Sequence, residues 1–170
     1  MDVRILPLAE VRERARDIWD VYDEVFGDQP SYDVWLDQML LRHAARDRFR
    51  LAAAFDSDQM IGFAYGYVGA SGQYYTDSVR ESLGAVLAAR WLPAFEFVEF
   101  GVLASHRRGG VGRRLYELVI DGIDGPALLS TGDDDDDPAV RFYRGEGWSR
   151  LGEHPSADGA RTMQIMGLRR

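Results

Sequence analysis

The chain has 170 residues, of which 20 are basic and 28 acidic, so its formal net charge is −8. Every basic residue is arginine, so a catalytic lysine is excluded. The chain contains no cysteine, which excludes disulfides and thiolate chemistry. The acidic balance argues against general binding to nucleic acid, and no apolar run is long enough to cross a membrane or to act as a signal peptide. We therefore expect one soluble, cytoplasmic domain that spans residues 1–170.

Apolar periodicity predicts the elements of the first half of the chain. A short strand precedes two amphipathic helices, the second of which Ser31 caps, and a polar connection of hairpin length separates two antiparallel strands. These elements are predicted at Val3–Leu6 (strand), 8–27 (helix), 31–45 (helix), Phe49–Phe55 (strand) and Met60–Val68 (strand).

An insertion at about 69–94 separates this hairpin from the next strand and contains a helix-compatible stretch, Asp77–Trp91. The remaining predicted elements are a strand (Phe95–Leu103), a basic turn (Ala104–Gly110), a helix from Val111, a strand (Pro126–Ser130), a helix that begins with proline (Pro138–Arg144) and two strands (Gly147–Leu151 and Thr162–Leu168).

The turn between Phe95–Leu103 and the following helix has the composition of an anion site. It reads Arg107-Arg108-Gly109-Gly110-Val111-Gly112-Arg113-Arg114. Its glycines let backbone N–H groups approach an anion at the positive end of the helix, and the arginines add charge, so a diphosphate would fit. A glycine-containing turn with solvated arginines is the alternative. The spacing of the glycines is not that of a G-x-G-x-x-G dinucleotide fingerprint.

Two segments carry a resemblance to a known family. Val102–Gly112 resembles the acetyl-CoA pyrophosphate loop of the GNAT N-acetyltransferases, Gln/Arg-x-x-Gly-x-Gly/Ala, with Arg107, Gly110 and Gly112 at its fixed positions. Further along, Asp136–Trp148 resembles the family's second signature, an Asn-x-x-Ala stretch followed by Tyr and then Gly-Phe. The chain departs from the pattern where Ala104 replaces a common proline, Arg108 a common glycine and Asp136 a common asparagine.

The resemblance implies a fold, a co-substrate and a set of binding residues. The fold would be α/β, a mixed, mostly antiparallel central sheet flanked by helices, and the co-substrate would be acetyl-CoA. Asp136 lacks the amide through which the usual asparagine contacts the cofactor arm. The implied cofactor-binding residues are Val102, Leu103, Arg107, Arg108, Gly109, Gly110, Val111, Gly112, Arg113 and Asp136.

In the resembled family a substrate amine attacks the thioester directly, which requires a group that removes a proton from the ammonium. Glu96 and Glu99 are the candidate bases on the strand before the loop. Strict alternation puts them on opposite faces, and Glu99 is slightly favoured because it lies nearer the expected thioester. Glu96 matches a position where some family members carry the base. Either residue could instead be a solvated carboxylate at the strand edge.

Tyr143 matches the family tyrosine that can donate a proton to the coenzyme sulfur; a core aromatic with a satisfied hydroxyl is the alternative. The acidic run Asp133–Asp137 lacks the ligand spacing of a calcium loop, so no metal site is predicted. The three histidines are scattered, and their spacing supports no nucleophilic triad.

These features predict an N-acetyltransferase that transfers acetyl from acetyl-CoA to a primary amine in a ternary complex, with a small cationic amine as the expected acceptor. Two alternatives stay open: a protein N-terminal or lysine acetyltransferase, and a non-catalytic acyl-CoA-binding module. Members of the resembled family are often homodimers, and the resemblance implies that assembly as an expectation for this chain. The sequence does not name the acceptor.

Overall fold

The structure is a computed structural model, and residues 1–169 are described. The strands are β1 (Asp2–Ile5), β2 (Arg50–Asp56), β3 (Gln59–Val68), β4 (Phe95–Val102), β5 (Pro126–Gly132), β6 (Ser149–Pro155) and β7 (Thr162–Arg169). The helices are α1 (Leu8–Glu13), α2 (Ala15–Val25), α3 (Tyr32–Trp35), α4 (Leu41–Ala44), α5 (Tyr74–Trp91), α6 (Val111–Ile120) and α7 (Pro138–Gly145), with a π-helical segment at Leu36–Leu40 and a 3-10 turn at Ala104–His106.

The strands form a seven-stranded sheet in the order β1-β2-β3-β4-β5-β7-β6. β1 pairs antiparallel with β2, β2 with β3, β5 with β7 and β6 with β7, whereas β4 and β5 run parallel. The predicted fold class, a mixed and mostly antiparallel sheet flanked by helices, is confirmed. No helix within residues 1–169 is long and apolar enough to cross a membrane.

The chain packs as two compact units. The first comprises Met1–Tyr67 and Val98–Gly122. Its core lies where α6 packs on the strands: Leu115 is fully buried, and a side chain at Gly62 would collide with the carbonyl oxygen of Gly101, 2.9 Å from the Cβ position. Close packing of backbone at this point therefore requires glycine.

The second unit comprises Val68–Phe97 and the chain from Ile123. Its core contains Val79 of α5, Leu128 of β5 and Ile165 of β7, all fully buried. The inserted helix α5 is interrupted at Gly84, where φ is +72° and the backbone is not helical. The expectation of a single domain over 1–170 stays a prediction, and the insertion at about 69–94 is the part of this unit that contains α5.

Two predicted elements differ from the structure. The helix expected over 8–27 is two helices, because Arg14 (φ −95°, ψ 16°) leaves the helical region between α1 and α2. The strand expected at Gly147–Leu151 begins only at Ser149 and runs on to Pro155. Gly147 has φ +92° and the Trp148 N–H donates to the Tyr143 carbonyl oxygen at 3.0 Å, so these two residues close α7 and do not start β6.

Within the second unit β4 and β5 pair in parallel, Phe95 with Ala127 and Glu96 with Leu128.

Candidate active site

The loop after β4 presents backbone amides at the start of a helix. Gly110 is the N-cap of α6 with φ +80°, a left-handed conformation that a residue with a side chain adopts only with strain. The first helical hydrogen bond runs from the Arg114 N–H to the Gly110 carbonyl oxygen at 3.2 Å. The amides of Val111 and Gly112 precede it and have no acceptor inside the helix. They lie at the positive end of the helix dipole, where an anion is stabilised.

Two arginines of the loop before these amides have different roles. Arg107 Nε donates to the Val102 carbonyl oxygen at 2.9 Å and so fixes the loop to the end of β4. Arg108 is exposed and has φ +64°, a left-handed backbone that turns the chain toward Gly110. Amide donors, a helix N-terminus and arginines form a donor set that suits a diphosphate, so the residues present fit the pyrophosphate of acetyl-CoA.

Gly112 has a role that the sequence did not indicate. A Cβ at this position would lie 3.1 Å from Cζ of Phe100 and 3.9 Å from a methyl group of Val102. Gly112 therefore allows α6 to pack closely on β4, in addition to any approach of an anion to its amide. Gly110 differs, because open space surrounds its Cβ position and only its positive φ requires glycine.

Glu99 lies on β4 in the first unit and is partly exposed. Three ionisable residues of the same unit interact with it: Asp28, Tyr22 of α2 and Tyr65 of β3. Burial in the first place, and the Asp28 carboxylate in the second, raise its pKa from 4.5 to about 8. The charge of Glu99 contributes in turn to raised pKa values at Tyr22 and Tyr65, where burial is the largest cause. A carboxyl group that titrates near neutral pH can gain and lose a proton during turnover.

Tyr22 and Tyr65 each form a further polar contact through the hydroxyl group. The Tyr22 hydroxyl donates to Asp28 Oδ1 at 2.6 Å. The Tyr65 hydroxyl lies 2.9 Å from Nδ1 of His43, whose pKa falls to about 4, chiefly through burial. His43 is therefore neutral at physiological pH. Neither the involvement of His43 nor that of Tyr65 could be read from spacing, because tertiary packing alone brings α4, β3 and β4 together.

Glu96, the second candidate base, lies in the other compact unit and has different partners. Its side chain is only 1% exposed, and the hydroxyl of Thr76 on α5 donates to its Oε1 at 2.5 Å. A Cβ on Gly69 would stand 1.9 Å from the same oxygen, so the carboxylate rests directly on the glycine backbone. Glu96 therefore contacts residues of the insertion, whereas the neighbours of Glu99 belong to helices and strands of the first unit.

Tyr143, the candidate acid, lies on α7 in the second unit and is 7% exposed. Its ring meets Phe97 of β4 and Trp148 edge to face, with centroids 6.2 and 6.1 Å away. Aromatic packing of this kind fixes the orientation of the ring. Both readings of Tyr143, proton donor and core aromatic, are compatible with this position.

Asp136, the remaining cofactor-binding candidate, is almost fully exposed, with 96% of its side-chain surface accessible. Its nearest charged partner is Arg141, with Nη1 3.7 Å from Oδ1. The neighbouring Asp137 is the residue that caps α7, since its side chain accepts from the Ala139 N–H at 2.7 Å. The structure therefore gives Asp136 no contact that orients it toward a ligand.

Comparison with known proteins identifies the family of the chain. The model of the acetyltransferase (GNAT) family matches residues 11–148. A GCN5-like protein acetyltransferase of Mycobacterium tuberculosis is 32% identical over 127 residues, which cover 68% of this chain and 61% of the relative, so the chain spans less than two thirds of that protein's length.

Solved structures show the same fold at low identity. The ribosomal-protein-S18-alanine N-acetyltransferase of Escherichia coli superposes with a TM-score of 0.65 at 16% identity and covers 98% of this chain and 92% of its own. An aminoglycoside 6'-N-acetyltransferase complexed with coenzyme A superposes with a TM-score of 0.64, also at 16% identity, over 100% and 99% of the two chains. The chain belongs to the acetyltransferase (GNAT) family.

Proposed function

We propose that this protein transfers the acetyl group of acetyl-CoA to a small cationic primary amine, by direct attack of the amine in a ternary complex. The observation that carries the proposal is Glu99, a β4 carboxyl with a pKa raised to about 8 beside the Asp28 carboxylate. The bound co-substrate supplies an activated thioester, and the residues of the chain do the remaining work.

Binding of the coenzyme portion is assigned to the segment Val102–Arg113. The amides of Val111 and Gly112 and the exposed Arg108 receive the diphosphate, while Arg107 holds the loop in place through the Val102 carbonyl oxygen. The extended pantetheine arm is assigned to backbone groups of β4, the strand that leads into the loop.

Proton removal is assigned to Glu99. An alkyl ammonium cannot attack a carbonyl carbon until it loses a proton, and a carboxylate whose pKa is about 8 is a stronger base than an ordinary glutamate. The Asp28 carboxylate keeps the pKa raised and also adds negative charge that favours a cationic acceptor. Glu96 remains the alternative base, although its burial against Thr76 leaves it no exposed surface at which an acceptor could be deprotonated directly.

The proton that completes the reaction is assigned to Tyr143, whose hydroxyl would donate it to the departing sulfur. The aromatic contacts to Phe97 and Trp148 hold the tyrosine ring in a fixed orientation, which proton transfer requires. The protons balance because the ammonium loses two of them on becoming an amide nitrogen: Glu99 would take the first, and the second would restore the Tyr143 hydroxyl after it has protonated the departing sulfur.

A protein amine is the second candidate acceptor. The observation that favours it is the 32% identity to a relative named as a protein acetyltransferase. The reaction and the assigned residues would be the same, and only the acceptor would differ.

The experiment is a coenzyme-A-release assay with a panel of polyamines, aminoglycosides, amino acids, arylalkylamines and peptides that carry a lysine or an N-terminal amine. We expect kcat/KM to be highest for a small cationic amine, and Glu99→Gln to reduce turnover of that amine. Turnover of peptides alone would move the assignment to a protein acetyltransferase, and release that no amine accelerates would refute the transferase proposal.

A further inference from the structure

The C-terminal end of α2 lies on β4 beside Glu99. Glu99 and Gly101 are two residues apart on one strand, so their side-chain positions share a face and lie about 7 Å apart. A Cβ on Gly101 would stand 3.4 Å from Cε2 of Phe26 and 3.4 Å from Cγ1 of Val25. Val25 is the last residue of α2 and Phe26 is its C-cap. The turn that follows α2 therefore begins at the face of β4 that carries Glu99, and all of these residues belong to the first unit.

This turn brings Asp28 back toward the helix. Gly27 follows the C-cap with φ +59°, a left-handed conformation, and a Cβ there would lie 3.3 Å from the Asp23 carbonyl oxygen. Asp28, the next residue, accepts a hydrogen bond on Oδ1 from the Tyr22 hydroxyl at 2.6 Å. That bond spans six residues and closes the turn against α2. The Asp28 carboxylate therefore has a defined position although it is exposed.

The donor of that hydrogen bond is held by aromatic packing. Tyr22 is 2% exposed, and the centroid of its ring lies 4.9 Å from that of Phe26 and 5.5 Å from that of Trp35. Burial in the first place, and the charge of Glu99 in the second, raise the pKa of Tyr22 above its ordinary value of 10. The hydroxyl is therefore a neutral donor near pH 7, and Tyr22→Phe removes a hydrogen bond without removing a charge.

Among the ionisable neighbours of Glu99, Asp28 supplies negative charge, and its effect on Glu99 adds to that of burial. The other two neighbours are Tyr22 and Tyr65, and the Tyr65 hydroxyl lies 2.9 Å from Nδ1 of His43. Both tyrosines have raised pKa values and the pKa of His43 is lowered to about 4, so all three are neutral near pH 7. A cation that approaches the partly exposed Glu99 therefore meets negative charge at Asp28.

We infer that Tyr22 is a positioning residue for the acceptor: its buried hydroxyl holds the Asp28 carboxylate toward Glu99, where Asp28 binds the ammonium group that Glu99 deprotonates. Asp28 then determines the preference for a cationic amine, and Tyr22 acts only through Asp28. A carboxylate that is fixed before the acceptor arrives loses less side-chain entropy on binding than a free one. The inference rests on the proposed function, because it concerns the acceptor of the same reaction.

The test compares Tyr22→Phe and Asp28→Asn with the wild type, using the best amine of the panel from pH 6 to pH 10. Each variant should raise the KM for the amine about threefold near pH 7, as expected for one polar contact at an exposed carboxylate, and leave the KM for acetyl-CoA unchanged. When each is compared with the same variant carrying Glu99→Gln, the midpoint of the rise of kcat/KM with pH should lie lower than in the wild type. The reason is that the repelling carboxylate is then absent or free to turn into water.

A double variant shows whether Tyr22 acts through Asp28. In the Asp28→Asn background, Tyr22→Phe should change neither the KM for the amine nor the midpoint any further, since the residue that it positions has lost its charge. The matched control is Tyr32→Phe, which removes a hydroxyl from the same aromatic cluster, where the Tyr32 ring lies 6.1 Å from that of Trp19. This control should leave both values unchanged. Thermal unfolding of each variant confirms that it is folded.

A folded Tyr22→Phe protein with the KM and the midpoint of the wild type would overturn the inference. Equal effects of Tyr22→Phe with and without Asp28→Asn would overturn it as well, because the tyrosine would then act by packing alone. In either case amines would still be acetylated, and the proposed function would stand. If no amine is acetylated, the proposed function fails, and ¹³C NMR of the Glu99 carboxyl still measures the positioning: its titration midpoint should be lower in Tyr22→Phe than in the wild type, and an equal midpoint would refute the role of Tyr22.

Discussion

The titration of Glu99 offers the sharpest test of the proposed base. With a pKa of about 8, roughly one tenth of Glu99 is ionised at pH 7 and roughly nine tenths at pH 9. If only the ionised form deprotonates the acceptor, the contribution of Glu99 to kcat/KM should rise about tenfold between these two pH values. The acceptor amine titrates as well, but it does so equally for every variant.

The assay is initial-rate coenzyme A release with the best acceptor from pH 6 to pH 10. The ratio of wild-type kcat/KM to that of Glu99→Gln cancels the titration of the amine; it should rise with pH, with a midpoint near pH 8 and a plateau above about pH 9. The matched control is Glu117→Gln, which removes an exposed carboxylate from α6 and should give a ratio that does not change with pH.

A second variant tests the cause of the raised pKa. Asp28→Asn removes the repelling carboxylate, so the pKa of Glu99 should fall and the rising limb should move to lower pH. A wild-type to Glu99→Gln ratio that stays constant across the whole range would refute the assignment of Glu99 as the base. The same measurement with Glu96→Gln would then show whether ionisation of Glu96 causes the rise of kcat/KM with pH.

Four further outcomes are expected. Tyr143→Phe should lower kcat by roughly 10²-fold with little change in the KM for acetyl-CoA, and an unchanged kcat, where chemistry limits turnover, would mean that the tyrosine only packs. Gly110→Val should weaken acetyl-CoA binding more than tenfold because φ is +80° there, and equal affinity in a folded Gly110→Val protein would contradict the loop assignment. For a cationic acceptor kcat/KM should fall as salt rises, since exposed charges are screened over about 8 Å at physiological ionic strength, and a salt-independent value would contradict electrostatic attraction. Ionisation of Glu99 destabilises the folded state as pH rises from 4.5 to about 8, so Glu99→Gln should raise Tm relative to the wild type at pH 9 but not at pH 4; an equal difference at both would contradict the raised pKa.

The co-substrate loop could be recognised from sequence because its chemistry is local. Gly110 is the residue at which the chain turns left-handed into α6, and Arg107 reaches back only five residues to the Val102 carbonyl oxygen. Contacts over so short a separation depend on residue order, so a sequence pattern describes them. Gly112 shows the limit of such a pattern, since its packing against Phe100 is a tertiary contact.

The surroundings of the two glutamates were beyond the reach of sequence. Alternation along β4 predicts that Glu96 and Glu99 point in different directions, but it does not say what either would meet. Only the packed structure brings Asp28 and Tyr65 to Glu99, and only the folded insertion covers Glu96 with Thr76. A pKa depends on burial and on charges from distant segments, and neither quantity is encoded in local spacing.

The sequence by itself predicted the order of strands and helices and the position of the loop that suits a diphosphate, because hydrophobic period and glycine placement act over a few residues. The class of fold followed from the resemblance of two motifs to a known family. The tertiary structure alone decided that the inserted α5 folds around a cavity with Thr76 in its wall, and that Glu99 titrates near pH 8. These properties arise from surfaces that meet only when segments far apart in the chain pack together and exclude water.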